Sequence, residues 1–163
     1  MAETSQNPIG FSSEESPVST GTGTLLEEAI ALAVRAHAGQ IDKSGQPYIL
    51  HPLRLMLQMD SEEEMITAVL HDVIEDTTVS LDDLRSLGLP ESVISALELL
   101  TRDTAGTGYD EYVAAIKANP LASRVKLADL AHNMDVRRLP LPLSARDWGR
   151  MEKYRRAWEL LSK

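Results

Sequence analysis

The sequence predicts an all-α fold, a compact bundle of about six to eight helices. Its 163 residues are 43% hydrophobic but only 4% aromatic, so the core consists mainly of leucine, alanine, valine and isoleucine. Apolar residues recur at helical spacing rather than in the alternation of a half-buried strand. Glycine and proline fall between the periodic segments, where they mark loops. These observations favour packed helices over a sheet.

Charge and cysteine content restrict the possible partners. The net charge of -9 argues against binding to nucleic acid polymers or anionic membranes, although a local cationic cleft can still bind a small polyanion. The sequence contains no cysteine, which excludes disulfides and thiolate metal sites. It shows no membrane-spanning run and no secretory signal. We expect a cytoplasmic protein with a small-molecule substrate; its oligomeric state is not indicated.

The first elements follow from local signals. Residues 1–22 are rich in small and polar residues and predict a flexible tail, because burial there cannot offset the entropy of ordering. Residues 23–163 form the predicted domain. Thr24 is the expected cap of a first helix, and Gly39 is expected to end it. A loop then leads to a second helix that opens at His51.

The remaining elements follow from caps and helix breakers. Ser61 and Glu64 predict a capping box at the start of the third helix. Ser144 is the expected cap of the final helix. The helices between these two cover about residues 81–86, 91–102, 110–118 and 121–137, as predicted from apolar spacing and proline positions.

One predicted helix carries an unusual set of titratable groups. Within the six residues from His71 to Asp76, the apolar third helix holds one imidazole and three carboxylates. Residues four apart share a helix face, so Glu75 is expected near His71 and Asp76 near Asp72. Burying such groups is costly unless something pairs with them, and a metal ion is a suitable partner. The segment therefore predicts a hydrolytic metal site.

Two distant motifs complete the predicted site. His51 follows a polar loop and precedes a proline, and Asp129 lies among apolar residues. Two imidazoles and two carboxylates suit Mn, Fe, Zn or Co and are a poor match for calcium. Glu75 and Asp76 then remain to orient or deprotonate the attacking water. The four predicted ligands are His51, His71, Asp72 and Asp129.

Each of these residues also has a simpler interpretation. His51 alone fits a capping or surface histidine, and His71 fits a hydrogen-bonded core histidine. The acidic run after His71 fits a solvated helix end, although acidic residues there oppose the helix dipole. Asp129 fits a salt bridge with Lys126 or Arg124. The metal site is favoured because all of these interpretations would have to hold together. For the other two histidines, His37 and His132, structural roles are expected.

Four segments of the sequence resemble the hydrolase domain of the RelA/SpoT alarmone enzymes, which are HD-domain metal-dependent phosphohydrolases. They are Ala36–Gln40 (AHAGQ), Lys43–Pro52 (KSGQPYILHP), Leu70–Thr77 (LHDVIEDT) and Val125–Met134 (VKLADLAHNM). The similarity spans roughly residues 24–161. Long members of the family add synthetase and regulatory domains. The chain therefore resembles a stand-alone small alarmone hydrolase, similar to the metazoan SpoT homologues.

The resemblance implies an activity and a role for each matching residue. The activity is Mn(II)-dependent release of pyrophosphate from the ribose 3′ position of (p)ppGpp or (p)ppApp. The implied metal ligands are again His51, His71, Asp72 and Asp129, and the residues that activate water are Glu75 and Asp76. The implied nucleotide contacts are Lys43, Ser44 and Asn133, with Lys126 as a further candidate. Phosphate charge is expected to be offset by Lys43, with Lys117, Arg124 and Lys126 as other candidates.

Two departures from the family pattern leave the base undetermined. The family loop usually reads Arg-Lys-Ser-Gly, whereas this chain has Asp42 in place of the arginine, which is associated with stacking on the purine. Asp42 is expected to accept a hydrogen bond from an exocyclic amine, which guanine and adenine both carry. Val136 stands where threonine is common. Two alternatives remain: an HD phosphohydrolase of another nucleotide, and a non-catalytic alarmone-binding protein.

Overall fold

The computed structural model describes residues 23–102, 108–139 and 141–163, so the predicted tail over residues 1–22 lies outside the described part. The described residues form nine α-helices and one 3-10 helix, which confirms the all-α fold class. The α-helices are α1 (Leu25–Ala36), α2 (Leu50–Met56), α3 (Glu62–Leu70), α4 (Val73–Asp76), α5 (Leu81–Ser86), α6 (Glu91–Leu100), α7 (Tyr109–Lys117), α8 (Pro120–Asn133) and α9 (Ala145–Leu161). The 3-10 helix, η1, covers Val136–Arg138.

Several helices begin with side-chain caps that the sequence indicates. The pairs Thr24–Glu27, Ser80–Asp83 and Ser144–Asp147 form reciprocal capping boxes. The box predicted at Ser61 is only half formed. Ser61 accepts a hydrogen bond from the Glu64 backbone N–H, but the Glu64 carboxylate accepts from the N–H of Asp60, at 2.9 Å. The helix start is as predicted, while its reciprocal bond lies one residue earlier.

Helix α3 lies at the centre of the bundle. It packs against α1, α2, α6 and α8, while α9 closes the opposite side against α7 and α8. The core between them is aliphatic, as the composition predicts: Leu70, Ile94, Leu97 and Leu130 are almost completely buried. This packing brings the loop before α2, the end of α3 and the middle of α8 close together. No helix in the described ranges is long and apolar enough to cross a lipid bilayer.

The predicted third helix breaks at its most polar point. Helix α3 ends at Leu70, and a turn at His71 and Asp72 precedes the single-turn α4. The ring of His71, through Nδ1, lies 2.8 Å from the carbonyl oxygen of Ala68 and uses an acceptor of the last helical turn. The expectation that Glu75 shares a continuous helix face with His71 is therefore wrong. Eight of the α-helices correspond to predicted ones, and α4 is the detached end of the third.

The other long prediction, a helix over residues 121–137, also ends early. Helix α8 stops at Asn133, and the chain turns into η1, which begins at Val136. Asp135 caps this short element by accepting a hydrogen bond from the N–H of Arg137. The turn matters for the site, because it directs Arg138 back toward the loop before α2.

Candidate active site

The four predicted metal ligands lie close together. Nε2 of His51 lies 3.7 Å from Oδ2 of Asp72 and 3.2 Å from Oδ1 of Asp129. Nε2 of His71 lies 2.9 Å and 3.8 Å from the same two oxygens. The ligand atoms of His51, His71 and Asp72 all lie within 4.8 Å of one another, and Asp129 adjoins this cluster from α8.

These spacings fit a single bound cation. Two ligands about 2.0–2.2 Å from a shared ion are separated by roughly 3 to 4 Å at tetrahedral or octahedral angles. The four contacts between 2.9 and 3.8 Å fall in that range. Nε2 of His71 is also buried without a hydrogen bond of acceptable geometry among the described residues. An orphaned ring nitrogen beside two carboxylates is the donor set that a divalent ion such as Mn, Fe or Zn accepts.

Both histidines present the same nitrogen to this point. The contact with the carbonyl of Ala68 requires Nδ1 of His71 to carry the proton, which leaves Nε2 for a cation. Nδ1 of His51 lies 2.6 Å from Nδ1 of His132, whose ring is stacked on His51 at 4.8 Å between centroids. The structural role expected for His132 is thus a contact on the far side of a candidate ligand.

The charges of the centre are strongly coupled. Burial disfavours a charged His71, but the carboxylates of Asp72 and Asp129 outweigh it and raise the pKa of His71 to about 10. Burial also disfavours a charged Asp129, yet Lys126 and the imidazoles hold its pKa well below the usual value. A proton on His71 thus occupies the place of a cation, and a metal ion bound by Nε2 would displace it.

The carboxylates are further held by protein donors. Nζ of Lys126 donates to Oδ2 of Asp129 at 2.8 Å, and Nδ2 of Asn133 donates to Oδ1. The hydroxyl of Tyr48 donates to Oδ2 of Asp72, and its buried position beside this carboxylate raises the pKa of Tyr48 far above its usual value. Lys126 therefore serves Asp129 and does not line the cavity that opens from the centre.

A cavity of about 420 Å³ opens above the centre. His51 lies at its floor, and the side chains of Glu75 and Asp76 line its wall. Burial, together with the charge of Asp72, raises the pKa of both acids. Oε2 of Glu75 also accepts a hydrogen bond from the backbone N–H of Arg102 at 3.2 Å. Carboxylates with raised pKa values beside a cation site suit the acceptance of a proton.

The end of α4 is fixed by the loop after α1. Nδ1 of His37 lies 2.8 Å from Oε1 of Gln40, and Nε2 of Gln40 donates to the backbone carbonyl of Asp76 at 3.0 Å. The ring of His37 also packs on Tyr48, with 4.9 Å between centroids. His37 is thus placed to order the loop, as the sequence indicates, and through Gln40 it also positions Asp76.

The loop before α2 forms the outer wall of the cavity. Asp42, Lys43, Ser44 and Asn133 all line it, as predicted for nucleotide contacts. Asp42, however, already accepts four hydrogen bonds. Its Oδ1 accepts from the backbone and hydroxyl of Ser44 and from the backbone of Gln46, and its Oδ2 pairs with Arg138 at 2.8 Å. Three of these donors meet at Oδ1 and one reaches Oδ2, so the carboxylate keeps acceptor capacity only at Oδ2, beside Arg138.

Arginines collect at this side of the cavity. Arg138 lines it directly, and a neighbouring depression is lined by Lys43, Arg146 and Arg150. Burial together with the positive charges of Arg150, Arg138 and Arg146 lowers the pKa of Lys43. In a chain of net charge -9, this concentration of cations marks a local preference for anions.

Some predicted contacts lie elsewhere, and other site residues were not predicted. Arg124 pairs with Asp60 and the carbonyl of Gln58 and does not line the cavity. Lys117 does not line it either. Residues that line the cavity without having been predicted include Tyr48, Arg138 and Tyr154. Tyr48 lies in one of the segments that resemble the family, so that resemblance could have identified it. Nothing in the sequence links Arg138 to Asp42, which is 96 residues away.

The chain is similar to known proteins over most of its length. No protein-family model matches it. It is 36% identical over 122 residues to the bifunctional (p)ppGpp synthase/hydrolase SpoT of Escherichia coli, and 33% identical over 129 residues to a probable guanosine-3′,5′-bis(diphosphate) 3′-pyrophosphohydrolase of Synechocystis. A GTP pyrophosphokinase of Streptomyces antibioticus is 36% identical over 129 residues. These matches cover 67%, 71% and 72% of this chain.

The chain spans only about a sixth of these relatives, 15% to 17% of their length. A solved structure of comparable size shares the fold. It is a metazoan ortholog of SpoT that hydrolyses ppGpp, with a TM-score of 0.66 and 23% identity. The alignment covers 85% of this chain and 84% of that one. The helical fold, the sequence matches and the His-Asp cluster together place this chain among the RelA/SpoT-type HD-domain proteins.

Proposed function

We propose that the chain is a metal-dependent 3′-pyrophosphohydrolase of alarmone nucleotides, (p)ppGpp or (p)ppApp. The observation that carries the proposal is the convergence of His51, His71, Asp72 and Asp129 below a cavity. Two further carboxylates, Lys43 and Arg138 line this cavity. The names of the relatives, which include ppGpp hydrolases, support the same reaction. The proposed domain covers residues 23–163 and acts in the cytoplasm on a nucleotide, and its charge disfavours nucleic acid polymers and membranes as partners.

The proposed cofactor is Mn(II), held by His51, His71, Asp72 and Asp129. A divalent ion bound there supplies Lewis-acid polarisation of a phosphoryl oxygen and lowers the pKa of nearby water. Two imidazoles and two carboxylates suit a divalent transition-metal ion, and the choice of manganese among these ions is part of the proposal. Tyr48, Lys126 and Asn133 hold the carboxylates in place through the hydrogen bonds described above.

In the proposed reaction a water oxygen attacks the phosphorus that is attached to the ribose 3′ oxygen. The new bond joins the water oxygen to phosphorus, the bond between phosphorus and the 3′ oxygen breaks, and pyrophosphate is released. Glu75 or Asp76 accepts the proton of the attacking water, because the raised pKa of each brings it closer to neutral pH than an ordinary carboxylate. The proton taken up by Glu75 or Asp76 is then passed on to the 3′ oxygen, which leaves as a hydroxyl group.

The outer wall of the cavity is suited to the rest of the nucleotide. Lys43 and Ser44 are assigned to phosphate and ribose oxygens, together with Asn133 on the opposite side. Arg138 and the neighbouring arginines offset the substrate charge that Glu75 and Asp76 increase. Asp42 organises the loop through the hydrogen bonds to Oδ1, and Oδ2, beside Arg138, keeps the acceptor that is proposed to face an exocyclic amine of the base.

Product analysis tests the proposal. Protein reconstituted with Mn(II) is incubated with ppGpp and, separately, with ppApp, and pyrophosphate and orthophosphate are measured. We expect pyrophosphate from at least one substrate. Orthophosphate alone would indicate a different nucleotide phosphohydrolase. Binding of either nucleotide without turnover would indicate an alarmone-binding protein, and both outcomes contradict the proposal.

A carboxylate variant tests the proton acceptor. Glu75→Gln should lower kcat by about 10²- to 10⁴-fold while Mn(II) affinity stays unchanged, because general base catalysis contributes that much. Glu98→Gln, an exposed position on α6 away from the cavity, is the matched control and should retain full activity. If Glu75→Gln and Glu98→Gln behave alike, Glu75 is not the acceptor and the same measurement is made on Asp76→Asn.

The pH dependence supplies a second test of the same pair. Because the pKa values of Glu75 and Asp76 are raised, both lose their negative charge at a higher pH than ordinary carboxylates. The rate kcat/KM should therefore be flat near neutral pH and fall as the pH decreases through the raised pKa values. The apparent pKa of this acidic limb of the pH profile belongs to Glu75 and Asp76 together, not to either residue alone. Glu75→Gln should shift the limb, whereas an unchanged limb would assign it to other groups.

A further inference from the structure

A continuous chain of polar contacts connects one candidate metal ligand to the loop that lines the cavity. Nδ1 of His51 lies 2.6 Å from Nδ1 of His132. Nη1 of Arg138 lies 3.1 Å from the same His132 nitrogen and donates to the His132 carbonyl at 3.2 Å. Nη2 of Arg138 donates to Oδ2 of Asp42 at 2.8 Å. The chain crosses from α2 to α8, then η1, and ends in the loop before α2.

The chemistry of arginine fixes the protons along this chain. A guanidinium only donates, so the His132 nitrogen that faces Arg138 must be an acceptor. Nδ1 of His51, which contacts the same nitrogen, must then carry its own proton. This assignment leaves Nε2 as the ring nitrogen of His51 that turns to Asp72 and Asp129. A metal ligand needs its lone pair on that side.

The geometry of His132 supports the same assignment. Its ring lies nearly parallel to that of His51, with 10° between the planes, so the two rings restrict each other's rotation. Arg54 approaches the other ring nitrogen only to 3.5 Å, which leaves Nδ1 as the well-defined acceptor.

The far end of the chain organises the substrate loop. Oδ1 of Asp42 accepts from the backbone N–H groups of Ser44 and Gln46, which closes the loop into a tight turn around Lys43. The side chains of both Asp42 and Arg138 are largely buried, at 11% and 19% exposure. The ion pair therefore sets the position of the loop relative to η1, and η1 follows directly from the helix that carries Asp129.

We propose that His132, Arg138 and Asp42 form a positioning relay. The relay holds His51 with Nε2 toward the metal site and fixes the position of the Lys43–Ser44 loop relative to that site. The relay touches neither the reacting phosphorus nor the ion. Its effect on metal binding stands on geometry alone, whereas its effect on the nucleotide loop rests on the proposed function. Removing a partner that orients a metal-bound histidine typically costs about 10- to 100-fold in metal affinity.

Variants at His132 test the metal half of the relay without any substrate. His132→Leu removes the acceptor, whereas His132→Asn can present an amide oxygen near the position of Nδ1. Mn(II) affinity, measured by calorimetry, should fall about 10- to 100-fold in His132→Leu and much less in His132→Asn. In the metal-free protein, the ¹⁵N spectrum of the His51 ring should show a protonated Nδ1 in the wild type and a mixture of tautomers in His132→Leu.

Two results would overturn this half. One is wild-type Mn(II) affinity in folded His132→Leu. The other is an equal loss in the leucine and asparagine variants, which would reduce His132 to a packing role. Circular dichroism of each variant shows whether it is folded. If His132→Leu does not fold, the asparagine variant and the ¹⁵N tautomer of His51 in the wild type decide, because an unprotonated Nδ1 contradicts the relay.

Variants at Arg138 test the loop half. Arg138→Met should weaken Mn(II) binding less than His132→Leu, and should also raise KM for the nucleotide by roughly tenfold as the loop loses its anchor. Arg137→Met is the matched control, since Arg137 is 87% exposed and pairs only locally with Asp135. The effects of Arg138→Met and His132→Leu on Mn(II) affinity should not add, as for residues of one network.

These readouts separate the relay from the proposed function. If His132→Leu and Arg138→Met each lower Mn(II) affinity and their effects do not add, the relay is supported even if no alarmone is hydrolysed. Conversely, an active wild-type enzyme whose Arg138→Met variant matches Arg137→Met in both Mn(II) affinity and KM retains the proposed function and loses the relay.

Discussion

Neighbouring residues on the same helices belong to two very different interiors. At the end of α3, Leu70 is 0% exposed and His71 is 3% exposed; on α8, Asp129 is 6% exposed and Leu130 is 1% exposed. The leucines enter the aliphatic core, while His71 and Asp129 meet His51 at the polar centre. The degree of burial is nearly the same, so burial alone does not distinguish packing from chemistry.

The difference lies in how each interior is stabilised. The aliphatic core depends on area and shape, and many neighbours share the contribution of each side chain. The polar centre depends on particular partners, because each buried charge is costly unless its counterpart is present. Substitutions should therefore change stability in the first region and metal binding or activity in the second. Three expected effects, from the largest to the smallest, test this separation.

The largest effect is expected at His71. His71→Ala removes a metal ligand, and the polarisation that a bound ion supplies is worth several kcal/mol, so hydrolysis should fall by about 10³-fold or more. Rates at saturating Mn(II) and the Mn(II) dissociation constant measure it. Thr67→Val is the matched control, because Thr67 is a completely buried polar residue of the preceding helix, α3, and its hydroxyl donates to the carbonyl of Glu63. If His71→Ala and Thr67→Val lose activity equally, His71 contributes to packing rather than to metal binding.

A smaller effect, on stability, is expected at Leu97. Leu97→Ala opens a cavity in the aliphatic core and should lower the free energy of unfolding by about 2–5 kcal/mol, while activity per folded molecule is retained. Urea denaturation and an activity assay under native conditions measure the two quantities. Leu57→Ala, at a leucine that is 77% exposed, should change stability by less than about 0.5 kcal/mol. Loss of activity in folded Leu97→Ala would show that the two interiors are coupled.

The smallest of the three effects is expected at Lys126, where the regions meet. Lys126→Met removes a charged hydrogen bond to Asp129, so the metal-free protein should lose about 2 kcal/mol of stability. Part of this loss should be recovered with Mn(II), because the ion supplies positive charge beside Asp129. The shift in Tm on adding Mn(II) should thus be larger in the variant than in the wild type. An equal shift would show that Lys126 and the ion act independently.

The sequence was a good guide to the fold and to the residues that approach the cation site. Caps and apolar spacing predicted the helices, and titratable residues in apolar surroundings predicted which side chains meet. Sequence reasoning failed where geometry depends on distant packing. Asp42 and Arg138 are 96 residues apart, and His51 and His132 are 81 apart, so no local pattern connects either pair.

The break after Leu70 was missed for a different reason. Val73 and Ile74 continue the apolar pattern of α3, with Val73 completely buried, so periodicity alone predicts one uninterrupted helix. At the break, the ring of His71 competes for the Ala68 carbonyl, which a continuing helix would offer to the N–H four residues on. Spacing rules describe backbone bonds and do not include such competition.

Because of this interruption, the side chains of α4 do not have to follow the rotation of α3. In a continuous helix, each residue is rotated about the helix axis by a fixed angle from the one before. A change in the direction of the Glu75 and Asp76 side chains would then require the whole helix, including His71, to rotate. With the turn between α3 and α4, the direction of α4 is set by its own contacts, including the bond from Gln40 to the carbonyl of Asp76. Changes in the loop after α1 can thus shift Glu75 and Asp76 without rotating α3, while His51 and Asp129 keep their places on α2 and α8.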